Sequence, residues 1–247
     1  MNNRPCAPLL VTVNVTGVCN LNCSYCYFQP RLQTHMPFDD YRTTLNILRE
    51  HEIFLLTLSG GEPFLHPEIS ELLHLAHDTF EHASILTNGT ALQDEHFETI
   101  DMIVRKKGFF PIQVSVDSTE PEINDSTRGK TSVVLKNLHR LNEVGASITA
   151  AIVVSSQNID RIEETIASLV GVTRNFHVMP IKPVPFLNGK DAYLQVAPPR
   201  MDQVWKKLIG LREKYRVRVR TPVDDLCNSV ETSAVGAPCM AGFTKLA

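Results

Sequence analysis

Six short apolar runs, set apart by stretches with apolar residues at helical spacing, limit what this chain can fold into. Residues 9–15, 53–58, 83–86, 112–116, 148–154 and 176–180 are apolar and rich in β-branched side chains, which predicts strands. Between them, Phe38, Tyr41, Leu45 and Leu48 lie at helical spacing. Residues 67–80 read as a helix with Pro67 in its first turn. Residues 94–106 read as another, with Phe97, Ile100, Ile103 and Val104 on one side. Val134, Leu138 and Leu141 form a stripe ending at Gly145, a good residue just past a helix, and residues 160–169 are helical again. Strands joined through helices run parallel, and a parallel sheet must be covered by those helices. The pattern therefore predicts an α/β fold with six βα units. Either a doubly wound sheet or an incomplete barrel satisfies it, and periodicity does not separate the two.

Composition restricts the setting. With 247 residues, 43% of them hydrophobic and 21% charged, the chain can bury one large core. A net charge of −3 argues against a basic nucleic-acid-binding face, so no nucleic-acid partner is expected. No apolar run reaches the roughly 18 residues of a membrane span, so no membrane partner is expected either. The N-terminal run 9–15 is polar-interrupted and β-branched, a strand and not a signal peptide. Six cysteines without a secretion signal point to metal binding in a reducing cytoplasm.

Three of those cysteines, Cys19, Cys23 and Cys26, follow the first strand in a C-x3-C-x2-C pattern. Thiolates hold iron–sulfur clusters, usually four per cluster, so three on one loop would leave one iron of a [4Fe–4S] cluster open. A zinc site, or an electron-transfer cluster with a fourth ligand elsewhere, is the alternative. After the second strand comes Ser59-Gly60-Gly61-Glu62-Pro63. Glycines let backbone approach a ligand closely, and the exposed carbonyls with Glu62 can accept from an ammonium group. A plain strand-to-helix turn would read the same way. Together the two motifs resemble the radical SAM enzymes. That resemblance covers residues 9–180. It implies a partial (β/α)6 TIM-type barrel with a C-terminal extension, and a [4Fe–4S] cluster on Cys19, Cys23 and Cys26. It also implies S-adenosylmethionine (SAM) on the open iron, its amino end held by Ser59, Gly60, Gly61 and Glu62. In parallel barrels the site lies at the C-terminal ends of the strands, where these motifs fall.

Further positions carry the resemblance singly. Tyr25 matches the family aromatic beside the third cysteine, and either lies near the SAM adenine or packs the loop on the barrel. Asn88, in Thr87-Asn88-Gly89, either binds SAM or makes an ordinary Asn-Gly turn. Ser115 and Asp117 resemble the family's SxDG, with Ser118 in place of the glycine, which puts the loop geometry there in doubt. Their spacing puts both on one face of a strand. Arg128 falls where related enzymes carry an arginine for the SAM carboxylate, a group that guanidinium can clamp. Met179, at the end of the sixth strand, packs against adenine or belongs to the core. His66 reads as a helix-start residue and not a metal ligand. Cys6 has no clear role, and no catalytic acid or base is assigned.

Residues 1–198 read as the barrel core and 199–247 as a separate C-terminal part. Residues 180–199 form a loop, Met201, Val204, Trp205, Leu208 and Leu211 define an amphipathic helix, and 216–220 alternates like a strand. Its arginines either meet an acidic substrate or stay solvated. Cys227 and Cys239, the latter in a C-x-A-G segment, resemble the start of a SPASM or twitch extension. An auxiliary iron–sulfur cluster would then require a chain that continues beyond Ala247. The resemblance implies cleavage of SAM to a 5′-deoxyadenosyl radical, which takes hydrogen from a substrate. A reducing partner such as flavodoxin or ferredoxin is expected. The leading substrate is a peptide, with a small cofactor precursor second and a non-catalytic iron–sulfur or zinc protein third. The N-terminal arm before residue 9 is too short for a separate leader-recognition domain.

Overall fold

A computed structural model of the chain describes residues 9–28, 32–182 and 192–222, and the backbone of residues 245–246. The strands are β1 (Leu10–Thr16), β2 (Leu55–Gly60), β3 (His82–Thr87), β4 (Pro111–Ser115), β5 (Ser147–Val154), β6 (Asn175–Pro180), β7 (Arg218–Arg220) and β8 (Lys245–Leu246). The helices are α1 (Phe38–Glu50), α2 (Ile69–Thr79), α3 (Asp94–Lys107), α4 (Pro121–Thr127), α5 (Thr131–Glu143), α6 (Ile162–Leu169) and α7 (Pro198–Tyr215).

The strands form one sheet in the order β7-β6-β5-β4-β3-β2-β1-β8, and every pair is parallel. That order removes the ambiguity left by periodicity. A doubly wound sheet reverses its strand order part-way, sending helices to both faces. Here β1 to β7 follow chain order without reversal. Right-handed crossovers then place every helix on the same face, and the sheet curls into a partial barrel.

The two faces differ sharply. Val11, Val13 and Val15 of β1, Ile112 and Val114 of β4, and Phe176 and Val178 of β6 are buried under the helices. The alternate residues, among them Gln113 and Ser115 of β4 and Asn175, His177 and Met179 of β6, face inward and are only half covered. The concave face is therefore polar and open, and the apolar core lies between sheet and helices. A 13-residue helix such as α5 is marginal alone. Burying Val134, Leu138 and Leu141 contributes roughly 1.5–3 kcal/mol per side chain.

Three elements depart from the sequence expectation. The helix expected from Pro67 begins at Ile69, because the residue before a proline is driven extended and His66 has ψ 127°. Residues 63–65 form a 3-10 turn instead. Helix α4 was not signalled by any apolar stripe: its buried residues are Asn124 and Thr127. Strand β8 pairs with β1 through Leu10 and Val11, also unforeseen. The expected boundary after residue 198 falls at the start of α7, yet β7 pairs with β6 in the core sheet. Cys6, Cys227, Cys239 and residues 183–191 of the expected 180–199 loop lie outside the described residues.

Candidate active site

The cysteine loop leaves the C-terminal end of β1 and is pinned at its base by Gly60, the last residue of β2, and Gly61 after it. Gly61 N–H donates to Thr16 O at 2.8 Å and Glu62 N–H to Val18 O at 2.7 Å. A Cβ at Gly60 (φ 141°) would lie 2.2 Å from Thr16 O, and one at Gly61 would lie 2.2 Å from Val18 O. The close backbone approach that these glycines permit is thus made to the cysteine loop itself.

Glu62 turns inward and is fully buried. Its carboxylate accepts from Thr87 Oγ1 (2.7 Å), Asn88 N–H (2.7 Å) and Phe64 N–H (3.2 Å), so it ties the end of β3 to the end of β2. Burial pushes its pKa up to about 7 although all three hydrogen bonds oppose the shift. Asn88 then reaches the cysteine loop. Its amide donates to Asn20 Oδ1 (3.0 Å) and lies 3.8 Å from Cys19 Sγ, while Asn20 donates to Thr90 Oγ1 (3.1 Å).

A second anchor lies across the barrel mouth. The Tyr25 hydroxyl donates to Asp117 Oδ2, and Ser24 N–H donates to Thr127 O at 3.0 Å. Asp117, 2% exposed, also accepts from Thr127 Oγ1 (3.2 Å) and Val153 N–H (3.1 Å). Arg128 Nε sits 3.1 Å from Asp117 Oδ1, though its N–H is not aligned on that oxygen as a hydrogen bond. The guanidinium lies 5.5 Å from the centre of the Tyr25 ring. Burial would lower the pKa of Arg128, but Asp117, with Tyr25 and Cys23, holds it above its ordinary value. Burial likewise keeps the Tyr25 hydroxyl protonated, well above its usual pKa.

Local sequence explains why Asp117 is held so firmly. Asn124, in the first turns of α4, accepts from Asp117 N–H at 2.9 Å, and Asn158 Nδ2 donates to Asp117 O at 2.8 Å. Ser118 takes the glycine's place without strain: it is fully buried, and its Oγ accepts from Glu120 N–H at 3.1 Å. Asn20, Asn124, Thr127 and Asn158 were missed by sequence reasoning. The only available signal was the polar run 124–127 directly before Arg128, which carries no periodicity.

The cysteines are free and half-buried, and the Cys26 N–H turns back to Cys23 O at 3.1 Å. Burial pushes the Cys23 thiol up; Arg128 opposes this, while Cys26, Asp117 and Cys19 add to it. Cys19 and Cys26 are therefore both close enough to act on the Cys23 thiol. Among the described residues, no three His, Cys, Asp or Glu side chains are grouped to hold one metal ion. Cys19, Cys23 and Cys26 are thus not gathered about one point as the ligands of a single zinc are, whereas the cysteines of a cluster bind separate irons. Of the remaining expected residues, Ser59 pairs with Asn14, Ser115 with Ala151 and Met179 with Val153, all on the concave face near this mouth. His66 is no ligand: its ring bridges Met36 O (2.8 Å) and Glu68 N–H (3.1 Å).

A barrel mouth with these motifs matches the sequence profile of the Radical SAM superfamily over residues 13–169. The chain belongs to the radical SAM superfamily. Among curated relatives, the antilisterial bacteriocin subtilosin biosynthesis protein AlbA of Bacillus subtilis is 28% identical over 162 residues, covering 64% of this chain and 36% of AlbA. The mycofactocin maturase MftC of Mycolicibacterium smegmatis is 27% identical over 176 residues, covering 68% of this chain and 43% of MftC. The chain thus spans less than half the length of these two radical SAM relatives. The crystal structure of Streptococcus suis SuiB bound to S-adenosylmethionine superposes with a TM-score of 0.77 over 96% of this chain and 57% of SuiB, at 18% identity. That likeness shows the partial-barrel radical SAM fold. Among the described residues, no helix is long and apolar enough to cross a membrane.

Proposed function

We propose that this chain is the radical SAM core of an enzyme that modifies a peptide. The observation that carries the reading is the convergence of the segments following β1, β2, β3 and β4 into one hydrogen-bonded mouth around three cysteines. When bound, a [4Fe–4S] cluster supplies the electron that cleaves SAM to methionine and a 5′-deoxyadenosyl radical able to take a hydrogen atom from substrate.

The chain's own residues position that chemistry. Cys19, Cys23 and Cys26 would hold three irons, with Arg128 beside Cys23 to offset the thiolate charge. Gly60 and Gly61 hold the loop at its base and leave their carbonyls to the SAM amino end, with Glu62 beneath them. Arg128 would take the SAM carboxylate while Asp117 fixes its guanidinium. Tyr25 and Met179 would flank the adenine, with Ser59, Asn88 and Ser115 offering hydrogen bonds around the ligand. The polar concave face leaves room for substrate beside it. That SuiB is also solved bound to its precursor peptide SuiA supports a peptide over a small cofactor precursor. A low-potential donor such as flavodoxin or ferredoxin would supply the electron.

Anaerobic reconstitution tests the reading. The wild-type chain should bind about four irons as one cluster and cleave SAM under dithionite. Replacing Cys19, Cys23 or Cys26 singly with alanine should abolish cleavage and cut the iron content. An alanine variant with intact turnover would remove that cysteine from the site.

A further inference from the structure

The turn after β3 sets a side-chain N–H against one of the three cysteines. Gly89 follows Asn88 with φ 74°, and a Cβ there would lie 2.7 Å from Val114 and 2.8 Å from Val134, so the turn needs a glycine. The turn folds Thr90 back onto the Asn88 side chain. Asn88 Oδ1 accepts from Thr90 N–H at 2.8 Å and from Thr90 Oγ1 at 2.7 Å. Asn88 Nδ2 donates to Asn20 Oδ1 at 3.0 Å, and Asn20 Nδ2 donates to Thr90 Oγ1 at 3.1 Å. Three side chains thus close a ring in which each donates to the next. The ring also fixes which way the amide points. A flipped Asn88 would set its NH2 group against the Thr90 N–H, donor against donor.

A primary amide has two N–H groups, and the ring uses one of them. Cys19 Sγ lies 3.8 Å from the same nitrogen, within the reach of a hydrogen bond to sulfur. Both lone pairs of Oδ1 and both N–H groups of Asn88 are then used, which leaves its main chain alone for SAM. The backbone is tied down as well, because Asn88 N–H donates to the buried Glu62 carboxylate at 2.7 Å. Cys19 is one of the three thiolates that would bind iron. Hydrogen bonds to cluster sulfurs are among the protein's controls on reduction potential. One-electron reduction adds a negative charge to a cluster, so an N–H aimed at its sulfur stabilises the reduced form more than the oxidised form. Arg128 acts on Cys23 across the mouth. Asn88 serves Cys19 without adding a charge.

We infer that Asn88 is a positioning residue that raises the cluster's reduction potential through an N–H···S hydrogen bond to Cys19, held in aim by Asn20 and Thr90. The inference rests on the cluster assigned to Cys19, Cys23 and Cys26 in the function proposed above. It separates two neighbours in the ring: Asn88 donates to the sulfur, whereas Asn20 only holds the amide and the loop together.

The test is a redox titration of the anaerobically reconstituted full chain without SAM, following the paramagnetic signal of the reduced cluster. Asn88→Ser keeps an oxygen for the Thr90 N–H but is too short to reach Cys19, and Asn88→Ala removes both. In each, the midpoint should become more negative. The oxidised-to-reduced ratio at the wild-type midpoint should rise at least threefold, about 28 mV at roughly 59 mV per tenfold change for one electron. Asn20→Ala cuts the tether and leaves the donor, so its shift should be less than half as large. An unchanged or more positive midpoint in the Asn88 variants overturns the inference. So does an equal shift in Asn20→Ala, which would make Asn88 a tether of the loop. A second measurement needs no Asn88 variant. In protein made with asparagine labelled with 15N at the side-chain amide, the reduced cluster should show a 15N hyperfine coupling that persists in Asn20→Ala. Its absence in the wild type overturns the inference even where the Asn88 variants lose the cluster. Failure of the cluster assignment is seen separately, as a wild-type chain that reconstitutes without about four irons or without the paramagnetic signal.

Discussion

Replacing Asp117 with asparagine should be among the most damaging single changes to the barrel mouth. Asp117 and Arg128 are 2% and 11% exposed, so the pair is screened little by solvent. Removing one member of a buried pair leaves the other charge uncompensated, at a cost of roughly 3–5 kcal/mol. Asparagine retains an oxygen for the Val153 N–H, and the Tyr25 and Thr127 hydroxyls can rotate to accept from its amide, so lost charge dominates. If so, removing both charges should restore part of the loss. Asp117→Asn/Arg128→Met should be more stable than the sum of the single effects by about 1–3 kcal/mol, a coupling typical of residues in contact. Tyr25→Phe, which deletes one hydrogen bond to the carboxylate and keeps the ion pair, should cost only about 1.5–3 kcal/mol. Urea unfolding of the cluster-free chain, followed by far-ultraviolet circular dichroism under reducing conditions, measures all four. A loss below about 1 kcal/mol for Asp117→Asn, or additivity within about 0.5 kcal/mol, would refute the reasoning.

Glu62 should make stability depend on pH. Its folded pKa of about 7 exceeds the ordinary 4.5, so the native state holds an extra proton between those values. The contribution is full below pH 4.5 and is lost as pH rises through 7. It amounts to on the order of 3 kcal/mol at 1.36 kcal/mol per unit. Subtracting the urea stability profile of Glu62→Gln from that of wild type should expose this slope, and parallel profiles would count against it. Gly61→Ala should lower stability by roughly 1–3 kcal/mol, because its Cβ meets the Val18 carbonyl at 2.2 Å, whereas Gly171→Ala, with nothing nearby, should be almost neutral. Arg128→Lys keeps the charge beside Asp117 but loses the planar fork; SAM affinity by equilibrium dialysis should fall by roughly 1.5–3 kcal/mol. Unchanged affinity would leave Arg128 as the counter-ion of Asp117 alone.

The sequence by itself determined the βα alternation, the apolar faces and the chemistry of the motifs. Strand and helix periods are local, and each is set by which residues must face the core. The glycines at 60 and 61 were legible for a similar reason, since only a residue without Cβ tolerates such close backbone approach. Ser118 was the one doubtful position in a motif, and a single hydrogen bond to the Glu120 N–H accommodates it. Tertiary structure alone decided the strand order, and with it a partial barrel over a doubly wound sheet. It also decided what the motif side chains do. Glu62 is pinned by Thr87 and Asn88, and Tyr25 meets Asp117 from 92 positions away. Helix α4 escaped detection because its buried residues, Asn124 and Thr127, face a polar network and leave no apolar stripe. Only register placed Arg218 of β7 beside Asn175 and Arg220 beside His177, and both arginines are exposed, as the solvated strand face read from the sequence requires. Partners across strand ends depend on strand order and register, and neither leaves a trace in local periodicity.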